Sequence, residues 1–136
     1  MKRLAVLASV LLAVSILTIV MSGQAFAAAK FQRISAEEAQ KRIESGRPVV
    51  IVDVRSLEEF EQKRVKGAIL IPNPTIGKTM PKELPDLNAE ILVYCRSTMG
   101  SQEASEKLAN IGYKNVYDFG SFRAWKGETE SGPAKQ

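Results

Sequence analysis

Cys95 is the side chain of this sequence with the clearest capacity for chemistry, because it is the chain's only cysteine. It follows the apolar run of residues 91–94, and a stretch of helical periodicity begins shortly after Gly100. A thiol between a strand end and a helix start lies where backbone amides favour an anion. This placement predicts a reactive thiolate, whereas the alternative is a buried cysteine that packs as a small apolar side chain.

The residues that follow the cysteine add hydrogen-bond donors and one cation. Arg96 is expected to supply positive charge, Ser97 and Thr98 to supply hydroxyl donors, and Gly100 to relieve crowding where the chain turns into the helix. Ser97 is predicted to be a hydrogen bonder rather than a nucleophile, because no general base accompanies it. Met99 is expected either at the mouth of the pocket or in solvent.

Alternating strands and helices are predicted to position this cysteine. Two continuous apolar runs, 49–52 and 91–94, predict neighbouring buried parallel strands. Ser-x-x-Glu patterns at residues 35 and 56 predict two helix starts. The alternation predicts an α/β domain with a central, mostly parallel sheet flanked by helices. The other predicted elements are helices over residues 35–44, 57–63 and 101–111, strands over 67–71 and 116–119, a surface loop or irregular short helix over 73–88 and a helical turn over 121–125.

The first 27 residues differ in composition from the rest. A basic start at Lys2 and Arg3, an apolar run over 4–21 and small residues up to Ala27 predict a signal peptide cleaved after Ala27. The alternative is an uncleaved membrane anchor, because the run is near the ~18 residues from which a spanning helix becomes plausible. Both place residues 28–136 outside the cytoplasm, in the periplasm by our prediction, as one domain with a flexible tail from about residue 128.

Composition disfavours several classes of function. The net charge is +4, of which Lys2 and Arg3 carry two, and no basic cluster with interleaved aromatics indicates nucleic acid binding. Histidine is absent, so no imidazole is available to a metal or as a base, and neither a metal nor a cofactor is expected. A thiol–disulfide oxidoreductase would need a second cysteine. A phosphatase loop would need an arginine where Ser101 stands.

Four ordered segments resemble the signatures of the rhodanese-like sulfurtransferases, and together they span nearly all of the chain after residue 27. The resemblance implies a three-layer α/β domain in which the cysteine accepts sulfane sulfur and holds it as a persulfide within a cradle of backbone amides. It also implies a small donor such as thiosulfate or a persulfide, and a thiol, cyanide or protein-cysteine acceptor. The segments are residues 52–55 with 58–60, 66–69 with 71–73, 94–97, and 120–125.

Three places depart from that family pattern. Thr98 and Gly100 stand where many members carry a glycine and then a basic residue, so the segment keeps one guanidinium. Arg64 stands at the place of a common histidine, and Ser121 replaces the second glycine of the terminal motif. These departures leave open an alternative function, a rhodanese-like sulfur-binding or sensing module with little turnover.

Asp53, Arg55 and Glu59 could form a catalytic acid–base set, but a structural role is the preferred interpretation. Arg55 and Glu59 are four residues apart where a helix is predicted to begin. An ion pair or local hydrogen-bond network between them would account for their presence. We therefore expect these three residues to support the site rather than to act on substrate.

Overall fold

The computed structural model describes residues 30–135. The predicted signal peptide or anchor, residues 1–27, lies outside the described residues. Within residues 30–135, no helix is both long and apolar enough to cross a membrane. The elements are β1 (Gln32–Arg33), α1 (Ala36–Glu44), β2 (Val50–Asp53), α2 (Leu57–Gln62), β3 (Arg64–Val65), β4 (Ile69–Leu70), a 3₁₀ turn (Asn73–Thr75), β5 (Glu90–Cys95), α3 (Thr98–Ile111), β6 (Asn115–Ser121), a 3₁₀ turn (Phe122–Ala124) and β7 (Thr129–Glu130).

Five of the strands form one parallel sheet in the order β1-β6-β5-β2-β4. β5 therefore lies in the middle, with β2 and β6 as its neighbours. β3 and β7 pair separately as a short antiparallel ladder. The predicted α/β class and central parallel sheet are confirmed, and Cys95 ends the central strand.

The central strands are buried on both faces, which explains why their sequences are continuous apolar runs. In β5, Ile91 and Val93 pack into one core cluster with Leu108 of α3. Leu92 and Tyr94 face the other cluster, on the side of α1 and α2. β2 pairs with β5 in parallel from Val50 to Asp53, so the predicted neighbouring buried strands are confirmed.

Within residues 30–135, a serine caps the start of each α-helix. Ser35 and Ser56 accept hydrogen bonds from backbone amides of the first turns of α1 and α2, as their sequence patterns predicted. Ser97 caps α3 in the same way by accepting from the amide of Gly100. The prediction that this helix starts near Ser101 was wrong by one turn, because the cap holds Gly100 inside the helix.

Several short elements were not predicted. The predicted strand over 67–71 shrinks to Ile69–Leu70, and β1, β3 and β7 have two residues each. Such strands exist only through their partners, so no local pattern marks them. The tail that was predicted to be flexible contains β7, which pairs with Arg64 and Val65. Its mobility stays a prediction.

Candidate active site

Cys95 lies at the carboxyl end of the central strand, half-buried between β2 and β6. Parallel sheets place the carboxyl ends of their strands at one edge, where loops and helix starts converge. Only Arg96 and Ser97 separate Cys95 from α3, so the thiol meets the first turn of a 14-residue helix. The sequence correctly predicted this strand–thiol–helix arrangement, which favours an anion near the sulfur.

Gly100 lies directly against the thiol. A Cβ at position 100 would come within 2.8 Å of Cys95 Sγ and 3.2 Å of Ser97 Oγ. Real Cβ atoms do not tolerate the first distance, so any larger residue would push the sulfur aside. The crowding predicted at this glycine is therefore present, and it involves the sulfur itself.

Among the described residues, the four backbone amides that follow Cys95 in the chain have no protein acceptor. In the part of the chain that the structure describes, the N–H groups of residues 96–99 donate to no protein atom, and the next amide, of Gly100, donates to Ser97 Oγ at 3.1 Å. Unpaired amides at a helix start carry partial positive charge. They are the donors available to an anion bound beside Cys95.

The remaining side chains of the cysteine segment, defined here as residues 95–100, point to different roles. Arg96, Ser97 and Thr98 are exposed, and Arg96 has no ion-pair partner within residues 30–135. Ser97 is occupied as the helix cap. Met99 is 80% exposed, as both of its expected positions, the pocket mouth and solvent, require.

A buried polar network adjoins the cysteine segment. Asp53 accepts hydrogen bonds from the backbone amide of Arg55 at 2.9 Å, from its Nη2 at 2.8 Å, and from the hydroxyl of Tyr94 at 2.6 Å. Tyr94 Oη in turn accepts from the amide of Val65 at 3.1 Å. Because Tyr94 immediately precedes Cys95, this network fixes the end of the strand that carries the thiol.

The environment shifts the pKa values in this network in ways that hold its charges fixed. Burial, followed by the adjacent Asp53 carboxylate, raises the pKa of the Tyr94 hydroxyl above its ordinary value. Burial alone lowers the pKa of Arg55, but the hydrogen bonds and charge of Asp53 outweigh it and raise that pKa. Arg55 therefore stays cationic and Tyr94 stays a neutral donor, so neither is suited to proton transfer near neutral pH.

The predicted partnership between Arg55 and Glu59 is wrong. Arg55 pairs with Asp53, whereas Glu59 accepts from the Ser56 hydroxyl at 3.1 Å in the capping box of α2. Arg55 precedes the helix cap, so the four-residue helical spacing does not apply to it. In extended chain, residues two apart share a side, and this is what joins Asp53 to Arg55. The guanidinium also lies over the Phe122 ring, 4.3 Å from its centre.

Comparison with known proteins agrees with this geometry. The family model described as Rhodanese-like domain matches residues 35–128. Thiosulfate sulfurtransferase PspE of Escherichia coli K12 is 35% identical over 72 residues, which cover 53% of this chain and 69% of that protein. Thiosulfate sulfurtransferase GlpE of Pseudomonas entomophila is 32% identical over 111 residues, covering 78% and 98%. A rhodanese-like domain protein of Staphylococcus aureus has a TM-score of 0.62 at 30% identity, covering 74% and 97%.

The chain belongs to the rhodanese-like family. Membership, together with sulfurtransferase relatives matched over most of their lengths, supports its assignment as a sulfurtransferase. The predicted family and fold are confirmed.

Arg64, which replaces a histidine common in rhodanese-like sequences, makes structural contacts away from the thiol. Its guanidinium is buried, donates to Glu130 at 3.2 Å and to the carbonyl of Gly132 at 2.8 Å, and lies 4.3 Å over the ring of Phe60. It thereby joins α2 and β3 to the C-terminal segment. None of these contacts reaches Cys95.

Ser121, in place of the second glycine of the rhodanese-like terminal motif, contacts the cysteine segment. Its hydroxyl donates to the carbonyl of Arg96 at 2.6 Å and accepts from the amide of Arg123 at 3.2 Å. The sequence marked Ser121 only as a departure from the motif and did not predict this contact. The local turn was visible in the sequence as a serine before a helical turn, but the partner 25 residues away was not.

Proposed function

We propose that this protein transfers sulfane sulfur from a small anionic donor such as thiosulfate to a thiophilic acceptor through a persulfide on Cys95. The observation that carries the proposal is the close packing of the thiol against Gly100 in the first turn of α3, together with the four unpaired amides that follow Cys95 in the chain. Aligned amides stabilise both a thiolate and the negatively charged persulfide.

In the first half-reaction, the Cys95 thiolate attacks the outer sulfur of thiosulfate. A bond forms between Sγ and that sulfur, the original sulfur–sulfur bond breaks, and sulfite leaves with the bonding electron pair. In the second, an acceptor attacks the terminal sulfur of the persulfide and the Sγ thiolate is released. Cyanide becomes thiocyanate, and a thiolate becomes a persulfide. No external oxidant or reductant is needed.

Intact-mass measurement tests the proposal. Purified protein incubated with thiosulfate or a polysulfide should gain the mass of one sulfur atom, and cyanide or a thiol should remove it. Cys95→Ser should keep the fold and gain no sulfur, because the chain has no other thiol. A folded wild-type protein with a free thiol that gains no sulfur from any of the donors would contradict the enzymatic function.

The second candidate is a sulfur-binding or sensing module with little turnover. The observation in its favour is that Arg96 is the single cation of the cysteine segment and is exposed. Such a protein would load sulfur once and release it slowly to cyanide and to thiols. Multiple-turnover thiocyanate production, compared with single-turnover loading, separates the two functions.

We also propose that the protein acts outside the cytoplasm. The support is the sequence of residues 1–27, with its basic start, apolar run and small residues before position 28. N-terminal sequencing of protein from the extracytoplasmic fraction should begin at Ala28. An intact Met1 chain recovered from membranes would instead support the anchor.

A further inference from the structure

Ser121 reaches the cysteine segment because β6 carries a bulge beside the thiol. Val93 pairs with Asp118, but Cys95 pairs with Ser121, so β6 places two residues opposite the single Tyr94. Gly120, one of these two, has φ of 84°, a conformation that favours glycine. The buried carboxylate of Asp118 holds the Gly120 amide at 2.8 Å and so fixes the bulge.

The direction of the Ser121 hydrogen bonds is unambiguous. A carbonyl can only accept, so the one hydroxyl proton of Ser121 goes to the carbonyl of Arg96. The amide of Arg123 donates to a lone pair of the same oxygen. Both bonds together leave the hydroxyl no free rotation, and it acts as a fixed clamp on the Arg96 carbonyl.

Clamping this carbonyl orients the next amide. The described chain contains no cis peptide, and in a planar trans peptide the C=O and N–H point in opposite directions. With the Arg96 carbonyl held against Ser121, the N–H of Ser97 faces away from that hydroxyl. It is one of the four unpaired amides that follow Cys95 in the chain.

We propose that Ser121 is a positioning residue that orients the Arg96–Ser97 peptide so that the Ser97 amide serves an anion arriving at Cys95. The inference rests on the proposed function, since it concerns recognition of an anionic donor. Ser121 does not touch the donor and acts only through the peptide that it holds.

Two alkylating probes test this inference without any sulfur donor. Iodoacetate is an anion and iodoacetamide is its neutral analogue, and in both cases Sγ attacks the CH₂ carbon and iodide leaves. The ratio of their rate constants at Cys95 measures preference for an anion at the thiol. Partial unfolding or altered thiol exposure changes both rates together, so the ratio isolates recognition. With one cysteine in the chain, the modified site is unambiguous.

Ser121→Ala should lower the iodoacetate-to-iodoacetamide ratio by roughly threefold to tenfold, the range expected for one hydrogen bond of ordinary net strength. Its backbone is extended, with φ of −85° and ψ of 137°, so alanine and threonine both fit without strain. Ser121→Thr keeps a hydroxyl and should restore the ratio. Ser56→Ala, which removes the cap of α2 without contact to the cysteine segment, should leave the ratio unchanged.

The same variants in the sulfur-loading assay complete the test. Ser121→Ala should load sulfur more slowly from thiosulfate, through a higher KM, while loading from a neutral organic trisulfide stays near wild type. An unchanged alkylation ratio in Ser121→Ala, or an equal fall in Ser56→Ala, would overturn the positioning role. If no protein, wild type included, loads sulfur while the alkylation ratio still falls, the proposed function fails and the positioning of the amide stands.

Discussion

Two polar clusters share the carboxyl edge of the sheet and differ in how fully their groups are paired. In the buried cluster of Asp53, Arg55 and Tyr94, the carboxylate accepts from several donors and the tyrosine hydroxyl both donates and accepts. In the cysteine segment, residues 95–100, a run of amides has no protein partner among the described residues. Paired polar groups make a rigid support, whereas unpaired ones are available to a ligand. The comparison assigns stability to the first cluster and chemistry to the second.

The strongest test of this division removes the charge of the buried cluster. Asp53→Asn keeps the shape but leaves the Arg55 cation buried without its partner, which should lower the free energy of unfolding by about 3 kcal/mol. Urea unfolding measures the loss. Glu37→Gln, at an exposed pair with Lys41, is the matched control and should change little. A loss no larger than that of the control would show that Asp53 is not a support.

Substitution of Gly100 should give the opposite result, lost chemistry with retained stability. In Gly100→Ala the new methyl group displaces Sγ, so persulfide formation should slow by roughly ten- to hundredfold. Helix propensity favours alanine by up to about 1 kcal/mol, which offsets the local strain.

The matched control is Gly77→Ala, since a Cβ at Gly77 would meet nothing within 4 Å. Mass spectrometry of sulfur loading and thermal unfolding should be measured on both variants. If Gly100→Ala loads sulfur as fast as wild type, the thiol tolerates displacement and the close packing at Gly100 has no role in the reaction.

A smaller effect is expected from the one cation of the cysteine segment. Arg96→Ala should raise KM for thiosulfate about twofold to fivefold, because an exposed charge is screened by water and salt. Loading from a neutral donor should not change, and added salt should narrow the difference from wild type. Lys114→Ala removes an exposed charge just before β6, at the opposite end of the sheet, and should leave both donors unaffected. Equal effects of the two variants would mean that only net charge matters.

The sequence predicted the features that depend on local pattern. Buried strands, serine caps and the position of Cys95 between strand and helix all follow from runs or spacings within a few residues. The sequence did not predict contacts between residues that only the tertiary structure brings together. The partner of Arg55 was misassigned because the helical spacing to Glu59 was applied to a residue before the cap. The contact between Ser121 and Arg96 depends on a bulge in β6 that no spacing reveals.

A third polar cluster, around Glu130, is paired but only partly buried. It is therefore intermediate between the buried cluster and the cysteine segment, and its predicted effect on stability is the smallest. Glu130 of β7 is partly exposed, accepting from the Gly67 amide and from Arg64 Nε, each at 3.2 Å. The Gly67 hydrogen bond lowers the pKa of Glu130, burial opposes this, and Arg64 lowers it further.

A carboxylate with a lowered pKa in the folded state stabilises the fold above its unfolded pKa, and this contribution is lost as the pH falls through the folded value. Wild type should therefore unfold at a slightly higher temperature than Glu130→Gln at neutral pH, and the difference should vanish in acid. Thermal unfolding of both proteins across that range measures it. A difference that persists unchanged in acid would mean that the Glu130 charge does not hold β7 against β3, and that the tail is joined by its backbone pairing and by Arg64 alone.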